Sequence, residues 1–323
     1  MSILVTGGAG FIGAEVVRIL VKQKGERPTI FSRNPTLDHL GVSADDVDVI
    51  RGDVGNFSHV LDAVSTTKPE VIYHFGAMLS VPSEGDPAAS VQTNAMGTFH
   101  VLEAARLFGV RKVIFASSGA VFGSGISGDV KDDFTLQRPM LLYGATKVFG
   151  EHLGLFYKRK YGIDFRGLRF PSIIGPGVRT PGIVQYTSQI IEESANGNPF
   201  TLRVTPEQQV SVMYISEAGR ASVELSEAPE ENIKTAVYNI DGLQPTPTAQ
   251  DLSDAVKRNI PSAEIDFDVD ENLQQILGKT FMRFDDSMAR SEWGWNPTCD
   301  LDTIVKSVVT ALTQPPIDTG RNG

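Results

Sequence analysis

The 323-residue sequence predicts an α/β fold: a doubly wound parallel sheet followed by a smaller, mixed C-terminal domain. Three observations carry this. Short apolar runs alternate with segments of helical period over the first half of the chain. The runs are continuous rather than alternating, as strands covered on both faces require. A glycine-rich stretch separates the first run from the first helical segment. Strand–helix–strand repetition of this kind closes into a parallel sheet with right-handed crossovers.

The elements follow in order. Strands are expected at ILVT (3–6), PTIF (28–31), VDVIRG (47–52), VIYHFG (71–76), VIFASS (113–118) and DFRGLRF (164–170). From Ala14 to Lys24 the apolar positions Val16, Val17, Leu20 and Val21 fall on one helical face. Beyond about residue 170 Pro and Gly become frequent, and short strands are expected at VSVMYI (210–215), VYNI (237–240) and EIDFDV (264–269). Trp293 and Trp295 are expected to pack this second region. The last residues, QPPIDTGRNG, read as a disordered tail.

Composition narrows the function classes. With 29 Lys+Arg against 39 Asp+Glu, the net charge of −10 argues against a nucleic-acid or anionic-membrane partner. The single Cys299 forms no internal disulfide, and the five His show no metal-ligand spacing. His74, inside a buried-looking strand, reads as a core histidine. The opening MSILVTGGAG has no basic n-region or long apolar stretch, so a cytoplasmic protein without a membrane span is expected.

Gly7, Gly10 and Gly13 form G-x-x-G-x-x-G between the first strand and the first helix, with Phe11 and Ile12 inside the motif. Glycines permit a tight turn and close backbone approach to a pyrophosphate, which the N–H groups of the helix N-terminus then receive. The strand and helix on either side favour this over a plain Gly-rich turn. The expected division is therefore a dinucleotide-binding Rossmann domain over 1–170, to which some later segments return. A substrate-binding domain over 171–313 and the tail at 314–323 complete it.

The second strand runs into Ser32, Arg33 and Asn34. An acidic group at this point serves the ribose 2′-OH of NAD; a hydroxyl and a guanidinium instead attract a 2′-phosphate. NADP is thus the preferred cofactor, with NAD as the other choice. Asp53, followed by Val54, ends the third strand, where its carboxylate suits an adenine amino group or the cap of the next helix.

Tyr143 and Lys147 lie i, i+4 in LLYGATKVFGE, on one helical face. A phenol ionises near pH 10, and a neighbouring ammonium, together with the positive nicotinamide of an oxidised cofactor, is expected to lower that value and make Tyr143 a proton acceptor. Ser118, at the carboxyl end of VIFASS, is placed to hold a substrate oxygen near it or to cap the following segment.

Taken together, TGGAGFIG, GDV, HFGA, NAMGT, ASSGAVFG, YGATK, RFPSIIGPG and EWGWNP resemble, in order, the extended short-chain dehydrogenases/reductases, which include nucleotide-sugar epimerases and dehydratases. The resemblance implies a catalytic triad of Ser118, Tyr143 and Lys147. It implies that Asn94 supports the lysine or the cofactor, that Gly76 and Ala77 lie against the cofactor, and that Pro171 and Ile173 line its nicotinamide side. Ser80, Ser118, Gly119 and Arg179 are expected to face the substrate. A homodimer is implied, packed through the helix spanning Gly97 to Phe108 and the helix carrying Tyr143.

The departures are equally informative. Gly119 and Ala120 stand where sugar dehydratases carry an Asp–Glu pair, and neither moves a proton. Val210 stands where nucleotide-sugar members place a pyrophosphate-binding Arg. The second half is partly similar to short-chain-type L-threonine dehydrogenases. However, Ser32 replaces their acid and PGIVQY their hydroxyl-rich stretch, so threonine is not carried over. The expected activity is reversible hydride transfer at a secondary alcohol or ketone of a small polar substrate, its carboxylate or phosphate, where present, near Arg179. The alternatives are a nucleotide-sugar epimerase with retained cofactor and a catalytically inactive, cofactor-binding regulatory protein; the intact triad speaks against the latter.

Overall fold

A computed structural model describes residues 1–37, 39–123, 125–126, 128, 130–178, 182–280 and 283–313, with the backbone alone at 278–280. Arg179 and the tail expected at 314–323 lie outside the described residues.

Seven parallel strands form the central sheet: β1 (Ile3–Thr6), β2 (Thr29–Ser32), β3 (Asp48–Arg51), β4 (Val71–His74), β5 (Lys112–Ser118), β6 (Asp164–Phe170) and β7 (Val237–Asn239). Their order is β7-β6-β5-β4-β1-β2-β3. The winding direction reverses at β1, and at such a switch point the crossovers leave a crevice beyond the carboxyl ends of the strands. The sheet is covered by α1 (Phe11–Lys22), α2 (Phe57–Thr67), α3 (Gly97–Phe108), α4 (Leu142–Tyr161) and α5 (Ile215–Glu227). The apolar stripe read in the first helix is the face α1 buries, with Val16 and Val17 fully enclosed against Ile3, Val5 and Ile30. Each such side chain contributes about 1.5–3 kcal/mol by leaving water.

Two segments from the second half lie against this layer. VYNI supplies β7, which pairs with β6 in the register Val237↔Gly167 to Asn239↔Arg169. Helix α5 packs on α1, and Gly219 permits the approach: a Cβ there would lie 2.6 Å from the Glu15 side chain. Buried Arg166 fixes the end of α5, donating to the carbonyls of Leu225 (2.6 Å) and Ala228 (2.7 Å) while pairing with Asp164.

The remaining second half builds its own core. The pairs Ser172–Ile174 with Val212–Tyr214 and Phe200–Leu202 with Ile265–Phe267 are both parallel. Helices Tyr186–Ala195, Ala249–Asn259 and Leu301–Thr313 bury Ile190, Leu252, Val256, Ile304 and Val308 together. The tryptophans do not join this core, contrary to the sequence-based expectation. Trp295 donates Nε1–H to the carbonyl of Asp241, just past β7, and that bond holds it and Trp293 against Leu168, Tyr238 and Ile240 at the sheet edge. Among the described residues no helix is long and apolar enough to cross a membrane, and no cluster of His, Cys, Asp and Glu suits a metal.

Candidate active site

The glycine motif is required by close approach. Gly7 has φ +68°, and a Cβ on it would lie 2.7 Å from the backbone nitrogen of Gly76. A Cβ on Gly13 would lie 2.3 Å from the carbonyl of Gly7. Gly10 caps α1 without a side-chain acceptor, and no acidic residue occupies the first turn. The first N–H groups of a helix have no intrahelical partner. Those of Phe11, Ile12 and Gly13 therefore face the crevice with the positive end of the α1 dipole behind them. A pyrophosphate fits this cradle on geometry and charge.

From there a cleft of about 810 Å³ runs across the carboxyl ends of the strands. Ser32, Arg33, Asn34, Asp53 and Val54 line one end, and Gly76 and Ala77 the middle. Ser80, Ser118, Tyr143, Lys147, Pro171 and Ile173 line the other. Asp53 does not cap α2: it accepts from the N–H of Gly55 at 2.8 Å, and Asn56 is the cap. Gly119 lies in the 3-10 turn Gly119–Val121, whose neighbours Ser118 and Ala120 reach the cleft.

The Asn94 side chain holds the loop after β4. Its amide is spent on the backbone of Met78, accepting at 2.7 Å and donating at 3.0 Å. It braces the loop carrying Gly76 and Ala77 from behind, and among the described residues its side chain makes no bond to Lys147. The sequence motif alone shows nothing of this pairing, which depends on the loop after β4 folding back.

Arg51 was not visible as a site residue in the sequence. Strand register places it beside Ser32, and its Nε–H donates to the carbonyl of Arg33 at 3.1 Å. The two exposed guanidiniums share a side depression with Asn34, Asp53 and His59. Among the described residues no ion pair to a carboxylate engages either one.

At the opposite end, small residues let α4 reach the sheet. A Cβ on Gly144 would lie 2.1 Å from the carbonyl of Ala120, and Cβ atoms on Gly150 and Gly154 would meet the rings of Phe115 and Phe165. This contact carries Tyr143 to Ser118, whose side chain is near enough to act on the phenol. The Ser118 oxygen also accepts from the N–H of Ala120 at 3.2 Å. Lys147 Nζ donates to the carbonyl of Ala116 at 2.7 Å and lies 5.5 Å from the centre of the Tyr143 ring.

Burial dominates the electrostatics of the protein alone. Burial pushes the Tyr143 phenol up to about 12, and the Ser118 side chain pulls only partly against it. Burial also pushes Lys147 down to about 8, opposed by the Glu151 carboxylate. In the protein alone the phenol is therefore raised, because desolvation in a closed pocket is the dominant effect. At neutral pH Tyr143 keeps its proton while Lys147 is mostly charged. Burial, and then the charge of Lys147, push His74 down to about 3. Its two ring nitrogens lie 2.7 Å from Thr6 Oγ1 and 3.2 Å from Thr98 Oγ1, which makes it the core histidine expected.

Glu151 is a further residue the sequence reading passed over, although it stands i+4 from Lys147. It is buried, paired with Arg169 at 2.8 Å, and accepts from Ser117 and Gln137. The wall facing the substrate end was also missed: Leu79, Leu141, Ile183, Val184 and Gln185. Val210 is buried and apolar as read. Arg203 is paired with Asp268, and Arg220 with Glu217 and Glu224 while lying 4.6 Å over Trp295. Neither lines the cleft.

Comparison with known proteins agrees with this geometry. The model of the NAD dependent epimerase/dehydratase family matches residues 3–241. The chain is 31% identical over 310 residues to the mitochondrial L-threonine 3-dehydrogenase of Bos taurus, covering 95% of this chain and 81% of that one. The solved GalE-like L-threonine dehydrogenase from Cupriavidus necator (holo form) superposes with a TM-score of 0.86 at 27% identity, over 96% of this chain and 99% of that one. A UDP-glucose 4-epimerase from Thermotoga maritima shares the fold, with a TM-score of 0.83 at 24% identity over 97% and 98% of the two chains.

Proposed function

The chain belongs to the NAD dependent epimerase/dehydratase family, and from that premise we propose that it is an NADP-preferring dehydrogenase of the extended short-chain type. It interconverts a secondary alcohol and a ketone on a small polar substrate. The observation that carries this is one cleft in which a glycine cradle for pyrophosphate continues into the Ser118–Tyr143–Lys147 cluster.

When bound, the nicotinamide supplies or accepts the hydride, and each alcohol oxidised gives one ketone and one proton. The chain's own residues handle that proton. The Ser118 hydroxyl fixes the substrate oxygen beside the Tyr143 phenol. In reduction the phenol donates its proton to that oxygen, and charged Lys147 stabilises the phenolate left behind. In oxidation the phenolate form, which the positive charge of a bound oxidised nicotinamide would favour over the protonated phenol of the protein alone, takes the hydroxyl proton. The carbonyl of Ala116 holds Lys147 in place, and the surrounding apolar side chains exclude water.

Two features support a small substrate over a nucleotide sugar. Buried Val210 offers a pyrophosphate no charge, and Arg203 and Arg220 are spent on carboxylates away from the cleft. The pair Arg33 and Arg51 supports NADP over NAD, since a 2′-phosphate beside Ser32 meets two guanidiniums. A homodimer is supported by exposed Leu107 and Phe108 on α3 and Phe149 and Phe156 on α4, four large apolar residues on the two helices named for that contact. The test is a screen of hydroxy compounds and ketones followed by nicotinamide absorbance. Substrate-dependent change with added NADP(H) is expected. Nicotinamide retained through purification, with epimerisation and no net absorbance change, would overturn the reading.

A further inference from the structure

Tyr143 is the second residue of α4, so its phenol hangs on the first turn of that helix. The end of a helix is its least secure part, because the first N–H groups lack intrahelical partners and the turn frays. The local sequence gives this end no support. Leu141 stands at the cap position in extended backbone, with φ −109° and ψ 148°, and its side chain carries no acceptor. The first turn holds no acidic residue either. Backbone bonding inside the helix begins only with the N–H of Ala145, which donates to the Leu141 carbonyl at 3.1 Å.

The cap comes from 58 residues away: the N–H of Leu142 donates to Glu84 Oε1 at 2.7 Å. The acceptor is a carboxylate at the positive end of the α4 dipole, and a charge-assisted bond of this kind is stronger than a neutral one. Glu84 stands on an anchored element, the short helix Ser80–Gly85. Buried Ser83 donates from Oγ to the Met78 carbonyl at 3.3 Å, and Asn94 holds the backbone of Met78 in turn. Ser80 Oγ accepts from the N–H of Ile183 at 3.4 Å. One short helix thus ties together the loop after β4, the wall at Ile183 and the start of α4. On its other side that start rests on the sheet edge, where Gly144 meets the carbonyl of Ala120.

We infer that Glu84 is a positioning residue for the proton transfer: its carboxylate caps α4 through the N–H of Leu142 and so holds the Tyr143 phenol beside Ser118. This rests on the reading of Tyr143 as the group that moves the proton. Glu84 is not part of the cleft lining, and it acts only through the backbone that carries the phenol. Such an action matters because a reacting group displaced by ~1 Å can lose about 100-fold in rate. Glu84 is also exposed, so its replacement leaves the core untouched.

The experiment labels the full-length protein with 3-fluorotyrosine and follows the fluorine resonances. The chain has seven tyrosines, and Tyr143 is the signal absent from Tyr143→Phe. Glu84→Ala removes the acceptor, whereas Glu84→Gln removes the charge and keeps an acceptor oxygen of the same reach. The expected result is a Tyr143 resonance that shifts or broadens in Glu84→Ala and returns to its parent position in Glu84→Gln. The resonances of Tyr73 and Tyr238, on β4 and β7, should hold still in both. NADPH affinity, read by fluorescence, should stay within about twofold and so report an intact fold and cradle. Should Glu84→Ala fail to bind NADPH, Glu84→Ser, whose side chain is too short to reach the Leu142 N–H, makes the same comparison. An unmoved Tyr143 resonance in the truncated variant overturns the inference. Equal displacement in the alanine and glutamine variants overturns it too, since the charge and not the bond would then act. Loss of NADPH binding in both truncations does the same, because Glu84 would then hold the fold and not the phenol. None of these outcomes touches the dehydrogenase reading, which stands or falls on the turnover of Tyr143→Phe.

Discussion

The ammonium of Lys147 stands 5.5 Å from the centre of the Tyr143 ring, and both groups are enclosed against Ser118 and Ala116. The lysine is close enough to stabilise a phenolate, and one of its three N–H donors is held by the Ala116 carbonyl. The division of labour follows: Tyr143 moves the proton, and Lys147 sets the cost of doing so. Tyr143→Phe removes the oxygen and little else. Turnover should fall at least ~100-fold, with NADPH affinity within about twofold of the unmodified protein. Steady-state rates beside a fluorescence titration check both halves. Normal turnover in the variant would mean that another group carries the proton.

The pH profile follows from the same pair. Burial brings Lys147 to about 8, so its charge is present below that pH and lost above it. Ketone reduction should hold level near neutrality and fall about tenfold per pH unit above the limb. The Glu151 carboxylate opposes the burial effect on Lys147. Glu151→Gln should therefore move the limb to lower pH, whereas a purely structural role would lower the rate without moving it.

Cofactor choice rests on the β2 and β3 ends. NADPH should bind more tightly than NADH, and Arg33→Ala and Arg51→Ala should each reduce that preference by roughly 10-fold. Calorimetric titration of both nucleotides with all three proteins measures it. Equal affinities in the unmodified protein would remove the assignment.

Stability should carry a signature of Asp241. Burial pushes its carboxyl up to about 7, against hydrogen bonds from Ser211 and Gly242. A carboxyl whose folded value lies above its unfolded one stabilises the fold at pH below the unfolded value, near 3.9. That contribution is lost as pH rises through about 7. Each pH unit across the window removes about 1.4 kcal/mol from this source. Asp241→Asn abolishes the titration, so the melting temperature of the variant relative to the parent should climb from pH 4 to pH 7. A constant difference would show that Asp241 does not titrate there.

The sequence made the sheet and its ligand edge legible because both are local. The strands at Ile3–Thr6 and Asp164–Phe170 fall where read, and the glycine motif sits between its strand and helix. Three features were hidden for a common reason. VYNI joins the main sheet through pairing with β6, Arg51 meets Ser32 only through strand register, and Asn94 is spent on Met78 only because the loop after β4 folds back over it. All three are long-range contacts that no local period encodes. The adjacency of Tyr143 and Lys147 at i, i+4 is visible in a sequence, whereas the burial that raises the phenol in the protein alone is not.

The central claim is that a dinucleotide lies across the α1 cradle with its reactive ring against Tyr143, and a crystal structure of the complex with NADPH tests it most directly. The account predicts the pyrophosphate on the N–H groups of Phe11, Ile12 and Gly13 and the nicotinamide C4 within roughly 3–4 Å of the position where a substrate carbon meets Tyr143 and Ser118. A nucleotide seated elsewhere, or with its nicotinamide turned away from Tyr143, would contradict it.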